Sequence, residues 1–214
     1  MWNRSTRRAL EKGFLHYGSA LARSPAMSRF EYFTTFVSII ISLGLADLLQ
    51  SAYRLVQCRD RVRFHWLPVA WGLLVLLLVA LYYWRFYEFG QQDVWRNFFV
   101  FAFLLTGPVL LFLISANALP DDMPDNEVLD LERFYFERPR GFFLLLAAFM
   151  LQALLRALIS GEPFLSGRPL ILTAVLALFP LLAWSRNARL HTLVTLACAV
   201  LLFIFIVFYA LQID

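Results

Sequence analysis

Six apolar runs, each close to twenty residues long, set the terms on which this chain can fold. About twenty residues of helix at 1.5 Å rise cross the roughly 30 Å hydrocarbon core of a bilayer. In that core no water meets a backbone N–H or C=O, so each run must satisfy its own polar groups as a helix. The runs cover residues 30–56, 64–87, 94–119, 141–159, 165–184 and 190–211. Composition fits: 61% of residues are hydrophobic and 16% charged, against roughly 45–50% and about 25% in a soluble domain. A core bathed in water cannot hide that much apolar surface. The expected fold is all-α, a polytopic membrane protein whose residues 27–214 form a bundle of six transmembrane helices. Its first partner is the lipid bilayer.

The flanks of the runs read the same way. Trp66 stands at one end of the second run and Tyr82, Tyr83 and Trp84 at the other, where a bilayer interface selects aromatic rings. Pro108 and Pro180 lie inside the third and fifth runs, and Gly161 and Pro163 close the fourth. The one long loop, 120–140, carries Asp121, Asp122, Asp125, Glu127, Asp130, Glu132 and Glu137. Within it Val128, Leu131, Phe134 and Tyr135 recur at helical spacing after an Asp125/Asn126 start signal. That pattern predicts a short interfacial helix between spans 3 and 4, resting on the membrane face.

Charge is unevenly placed. Residues 1–26 hold Arg4, Arg7, Arg8, Lys12 and Arg23 against Glu11, and this surplus accounts for the whole net charge of +4. A basic tail beside a span suits anionic lipid headgroups rather than nucleic acid. Leu10, Phe14, Tyr17 and Leu21 fall on one helical stripe there. Three readings of the tail stay open: a basic helix in the headgroups, an organelle transit segment, and an extension upstream of a start at Met27. With six spans, loops 1, 3 and 5 share one face. They hold Arg59, Arg61, Arg63, Arg133, Arg138, Arg140, Arg186 and Arg189; beyond Met27 the other face holds Arg29, Arg85, Arg96 and Arg168, with Arg156 nearby. Counted from Met27, the positive-inside rule favours loops 1, 3 and 5 in the cytoplasm and the termini outside it; counting the basic tail as well brings the two faces to a near tie.

One run carries a carboxylate well inside, Asp47. A central Asp costs insertion about 2.5–3.5 kcal/mol, and such residues face a bundle interior or a wet cavity with a partner. Gln50, Ser51 and Arg54 lie along the same helical face. Asp47 is therefore either a proton- or ion-handling group or a carboxylate capped by those neighbours to hold helices in register. His65 and His191 fall toward the same membrane face, and Asp47, Gln50, Arg54, His65 and His191 together make the candidate polar intramembrane site. Ser38, Ser42 and Ala46, four residues apart, are the candidate packing stripe. Glu31 and Arg156, near the opposite face, are a candidate interhelical ion pair.

Several functions are argued against. The single lysine is Lys12, so no span offers a Schiff base; one membrane aspartate cannot make an aspartyl dyad. There is no HExxH, no P-loop, no arginine ladder and no serine elbow. The carboxylates of the 121–137 loop lack a calcium-loop spacing. Cys58 and Cys198 differ in depth by about 10 Å, too far for a disulfide. No metal and no cofactor is expected.

The stretch Phe30-Glu31-Tyr32, then 38–49 (SIIISLGLADLL), followed by the basic loop, His65-Trp66 and Trp71, resembles a family of small bacterial multi-pass inner-membrane proteins of uncharacterised activity. The resemblance spans about the first four runs from Met27 and implies a bacterial inner-membrane location. The leading functional expectation is a membrane protein that handles or senses a small solute or ion at Asp47. The alternative is a scaffold that holds another protein, or a second copy, through the Ser38/Ser42/Ala46 face and the acidic loop.

Overall fold

A computed structural model describes residues 29–86, 98–121, 128–137 and 139–207. The contacts divide the chain into two units, 1–34 and 35–214. Of the first, the described part is the opening of helix α1. The basic tail, the Asp125/Asn126 signal and Arg138 lie outside the described residues.

Among the described residues seven α-helices follow one another: α1 (Arg29–Gln57), α2 (Trp66–Phe86), α3 (Phe98–Ala118), α4 (Leu131–Glu137), α5 (Pro139–Ile159), α6 (Gly167–Trp184) and α7 (Ala188–Phe205). All but α4 are long and apolar enough to cross a membrane. Each carries large apolar side chains on its outside, among them Leu43, Leu73, Val109, Leu151, Ile171 and Leu196. Exposed apolar surface repeated on six helices needs lipid as its solvent. The chain is an all-α, multi-pass membrane protein.

Prolines explain where three helices begin. Pro68, Pro139 and Pro169 occupy the first turns of α2, α5 and α6, where a helix has no use for the missing N–H. Pro108 and Pro180 sit inside α3 and α6. Helix α5 ends on Gly161, in the left-handed region at φ 84°. Its N–H bonds the Leu158 carbonyl at 3.0 Å, and Glu162 N–H bonds that of Ala157 at 3.1 Å, closing the last carbonyls of the helix. Arg168 then bonds Glu162 across the turn at 2.6 Å.

The face α1 turns inward is Val37, Ile41, Gly44, Leu48 and Ser51. A Cβ at Gly44 would lie 3.0 Å from the Phe112 Cα, so α1 and α3 cross almost backbone to backbone. Small residues permit such approach in lipid, where dispersion replaces the hydrophobic effect between helices. The sequence stripe falls elsewhere. Ser42 and Ala46 are exposed, and Ser38 is half-buried with its Oγ 3.4 Å from the Tyr83 hydroxyl.

Loops 1 and 3 meet on one face. Strands β1 (Val62–Arg63) and β2 (Leu129–Asp130) pair in parallel, Val62 with Leu129 and Arg63 with Asp130. Asp130 also starts α4: its Oδ1 accepts the N–H of Glu132 at 3.0 Å and of Arg133 at 3.1 Å. The buried side chains of α4 are Leu131 and Tyr135. Protein, not headgroups, covers its apolar stripe, whereas Val128 of the expected stripe is exposed.

The α1–α3 crossing gives a direct test. Gly44→Leu must push the two backbones apart, and overpacking of this kind costs about 1–3 kcal/mol. Thermal unfolding in detergent should show a lowered midpoint, while Ala46→Leu on the exposed side leaves it unchanged.

Candidate functional site

Two polar clusters lie toward the loop 1/3/5 face, and each is built by elements distant in sequence. The first joins α1 to the end of α3. Ser51, 3% exposed, donates its hydroxyl to Asp121 Oδ1 at 2.7 Å. One turn on, Arg54 donates from Nη1 to the Asp121 carbonyl. Asp47 lies within electrostatic reach of both Asp121 and Arg54, a turn or about 6 Å deeper than Ser51. Below it, Ser115 packs 3.5 Å from the Cβ position of Gly44, with its Oγ buried and without a hydrogen-bond partner among the described residues. The result is a polar seam of Ser115, Asp47, Ser51, Asp121 and Arg54. Two carboxylates and one guanidinium thus meet in the seam, the guanidinium bonded to the Asp121 main chain.

Of the residues expected here, the structure brings Asp47 and Arg54 together. Gln50 lies on the exposed side of α1. Ser51 serves Asp121 rather than capping Asp47. Asp121 itself was legible only as one acid of a loop. Its role follows from Pro120, which ends the span and sets the next residue at the membrane edge.

The second cluster centres on Tyr135 of α4. Trp71 Nε1–H donates to the Tyr135 hydroxyl at 3.1 Å. That hydroxyl lies 2.9 Å from His191 Nδ1, and His191 Nε2 lies 3.0 Å from the Ser185 carbonyl. An indole can only donate and a carbonyl only accept. With His191 neutral, the order is therefore fixed: Trp71 to Tyr135, Tyr135 to Nδ1, and Nε2–H to Ser185. His191 is fully buried, and the rings of Tyr135, Phe136 and Phe143 stand edge-on to it at 5.3–5.6 Å. Burial raises the Tyr135 phenol above its ordinary range, so it stays a proton donor. Both His191 nitrogens are thus spent inside the protein, leaving no lone pair for a metal.

His65 stands apart from His191. It lies beside Asp130, whose carboxyl the Arg133 amide above all, helped by Glu132, Arg63 and His65, holds below the usual carboxylate range against the opposing effect of desolvation. Its own Nδ1 is buried and without a hydrogen-bond partner among the described residues. The expected five-residue site is thus divided among a seam at Asp47, a buried relay at His191 and a surface cap at Asp130. Glu31 and Arg156 belong to different units of the chain. Comparison of the chain with protein families, with curated proteins and with solved structures gives no match.

Two outcomes follow. Tyr135→Phe strands the Trp71 N–H and His191 Nδ1 in an aromatic surround, at about 1–3 kcal/mol for each orphaned group; the unfolding midpoint in detergent should fall clearly, and an unchanged midpoint would contradict the relay. For Asp130 the folded pKa lies below the unfolded one. Its contribution is therefore full above the unfolded value and is lost as pH falls through the folded one. Proteolysis of the 119–140 segment should speed up on acidification below about pH 4, and Asp130→Ala should show the faster rate already at neutral pH.

Proposed function

We propose that this protein handles a proton or a small cationic solute at the α1–α3 seam, with Asp47 as the exchanging group and Asp121 as its partner at the membrane edge. The single observation that carries the reading is Asp47 within electrostatic reach of a second carboxylate, Asp121, which Ser51 holds at 2.7 Å. A membrane carboxylate with a fully matched counterion is a structural lock. One that lies beside a second carboxylate favours a cation or a proton between them. The seam also runs from the edge of the membrane inward, through Ser115.

The proposed setting is a bacterial inner membrane, with loops 1, 3 and 5 in the cytoplasm and both termini outside. The arginine balance of the loops and the resemblance of the 30–71 stretch support it. Anionic lipid is the proposed partner of the basic tail.

A second reading has its own support. Ser42 and Ala46 are exposed on α1, so the scaffold hypothesis retains an exposed face of small residues for another helix.

Reconstituted vesicles separate the two. Asp47→Asn and Asp121→Asn should each lower proton or monovalent-cation flux at least tenfold while the unfolding midpoint stays near that of the parent chain. If Asp47→Asn lowers the midpoint and the parent carries no flux, the carboxylate only locks helices. Under the scaffold reading, neutralising the acidic loop should instead release a co-purifying protein.

A further inference from the structure

A slot between α2, α5, α6 and α7 encloses about 150 Å³, and no side chain in its described lining is charged. Its inner end is formed by Trp71 and Phe179, 3% and 2% exposed. The Trp71 N–H is already given to Tyr135 at 3.1 Å, so the indole offers the slot its ring alone. At the outer side stand Ile171 of α6 and Leu201 of α7, both exposed and both within their spans. The slot therefore opens sideways, into hydrocarbon rather than into water. From Ile171 to Phe179 is eight residues of α6, about 12 Å of rise against roughly 15 Å for one leaflet of hydrocarbon. Through the shared Leu78, Met150 and Leu172 the slot continues toward loop 4 into a cavity of about 200 Å³. Arg156 and Arg168 line that cavity, Arg168 paired with Glu162 at 2.6 Å; the slot itself is lined by neither.

Apolar cavities of about 150 Å³ stay dry and take hydrocarbon. At an opening that lies within the spans, the hydrocarbon on offer is acyl chain. A chain in the slot differs from one lying along the outside of the bundle, because it meets rings that the outer surface does not show. Walls without charge select by shape and length, so the headgroup has no part in the recognition. We propose that the slot takes in one acyl chain of a membrane phospholipid from the side, whatever its headgroup, and seats the chain end against Trp71 and Phe179. The slot shares no residue with the Asp47 seam, and the inference stands whether or not the seam carries a cation.

The test uses the full chain in phosphatidylcholine vesicles doped with the same lipid bearing a diazirine at the end of one chain. After illumination, peptide mass spectrometry should find adducts on the inner residues Trp71 and Phe179 as well as on Leu196, which faces outward. Phosphatidylglycerol with the same diazirine chain should label the inner residues to within threefold of phosphatidylcholine. Val175 and Cys198 line the slot, and Val175→Phe and Cys198→Leu each fill it without changing charge. Each should lower the inner adducts at least tenfold and leave those on Leu196 unchanged. Labelling confined to outward residues would overturn the proposal. So would undiminished inner labelling in either variant, or more than threefold preference for one headgroup; if Val175→Phe does not fold, Cys198→Leu decides alone.

Discussion

A polar group inside hydrocarbon has no second chance at a partner: what the protein does not supply, lipid cannot. The structure of this chain follows from that constraint. Backbone groups are paired within helices, prolines are placed mostly where a helix start has no N–H to lose, and a glycine closes the carbonyls at the end of α5. The side chains of the buried relay obey it too. The Tyr135 hydroxyl lies between the Trp71 indole and His191, and the far nitrogen of that imidazole reaches a loop carbonyl. Each member is satisfied by the next, which is the condition under which a buried polar network rigidifies rather than weakens its surroundings.

The two faces of the membrane domain are differently furnished. On the loop 1/3/5 face, carboxylates and hydroxyls are tied by short bonds across α1, α3 and the long loop, and a small parallel ladder pins that loop to its neighbour. On the other face an arginine pair caps a greasy slot. Such asymmetry orients a molecule relative to the headgroups and counterions on each side.

The helices were legible because period and length decide them: six runs near the hydrocarbon thickness admit one kind of solution. The short helix after span 3 was legible from its apolar stripe, but its start was not. Asp130 begins it, and any of several acids in that loop could have served until the amides that bond it were placed. Helix faces were harder. A helix that is apolar all round has no polar side to mark which way it turns, so the Ser38/Ser42/Ala46 stripe read as the contact where the structure uses Gly44. Only the close approach to Phe112 separates them. Membrane parity puts His65 and His191 toward one face, yet parity fixes depth and not lateral position. The partners of His191 come from three elements, and no spacing rule connects Trp71, Tyr135 and Ser185. Asp121 was hidden for a related reason: its meaning depends on α3 lying beside α1.

The relay has a consequence for how the chain is assembled. Trp71 is made first, Tyr135 next and His191 last of the three, so the imidazole that receives the phenol arrives with α7. Until then the Tyr135 hydroxyl lacks its acceptor, while the β1–β2 ladder already holds the loop to its neighbour. The loop is thus seated before it is locked, and the lock is the member of the relay made last.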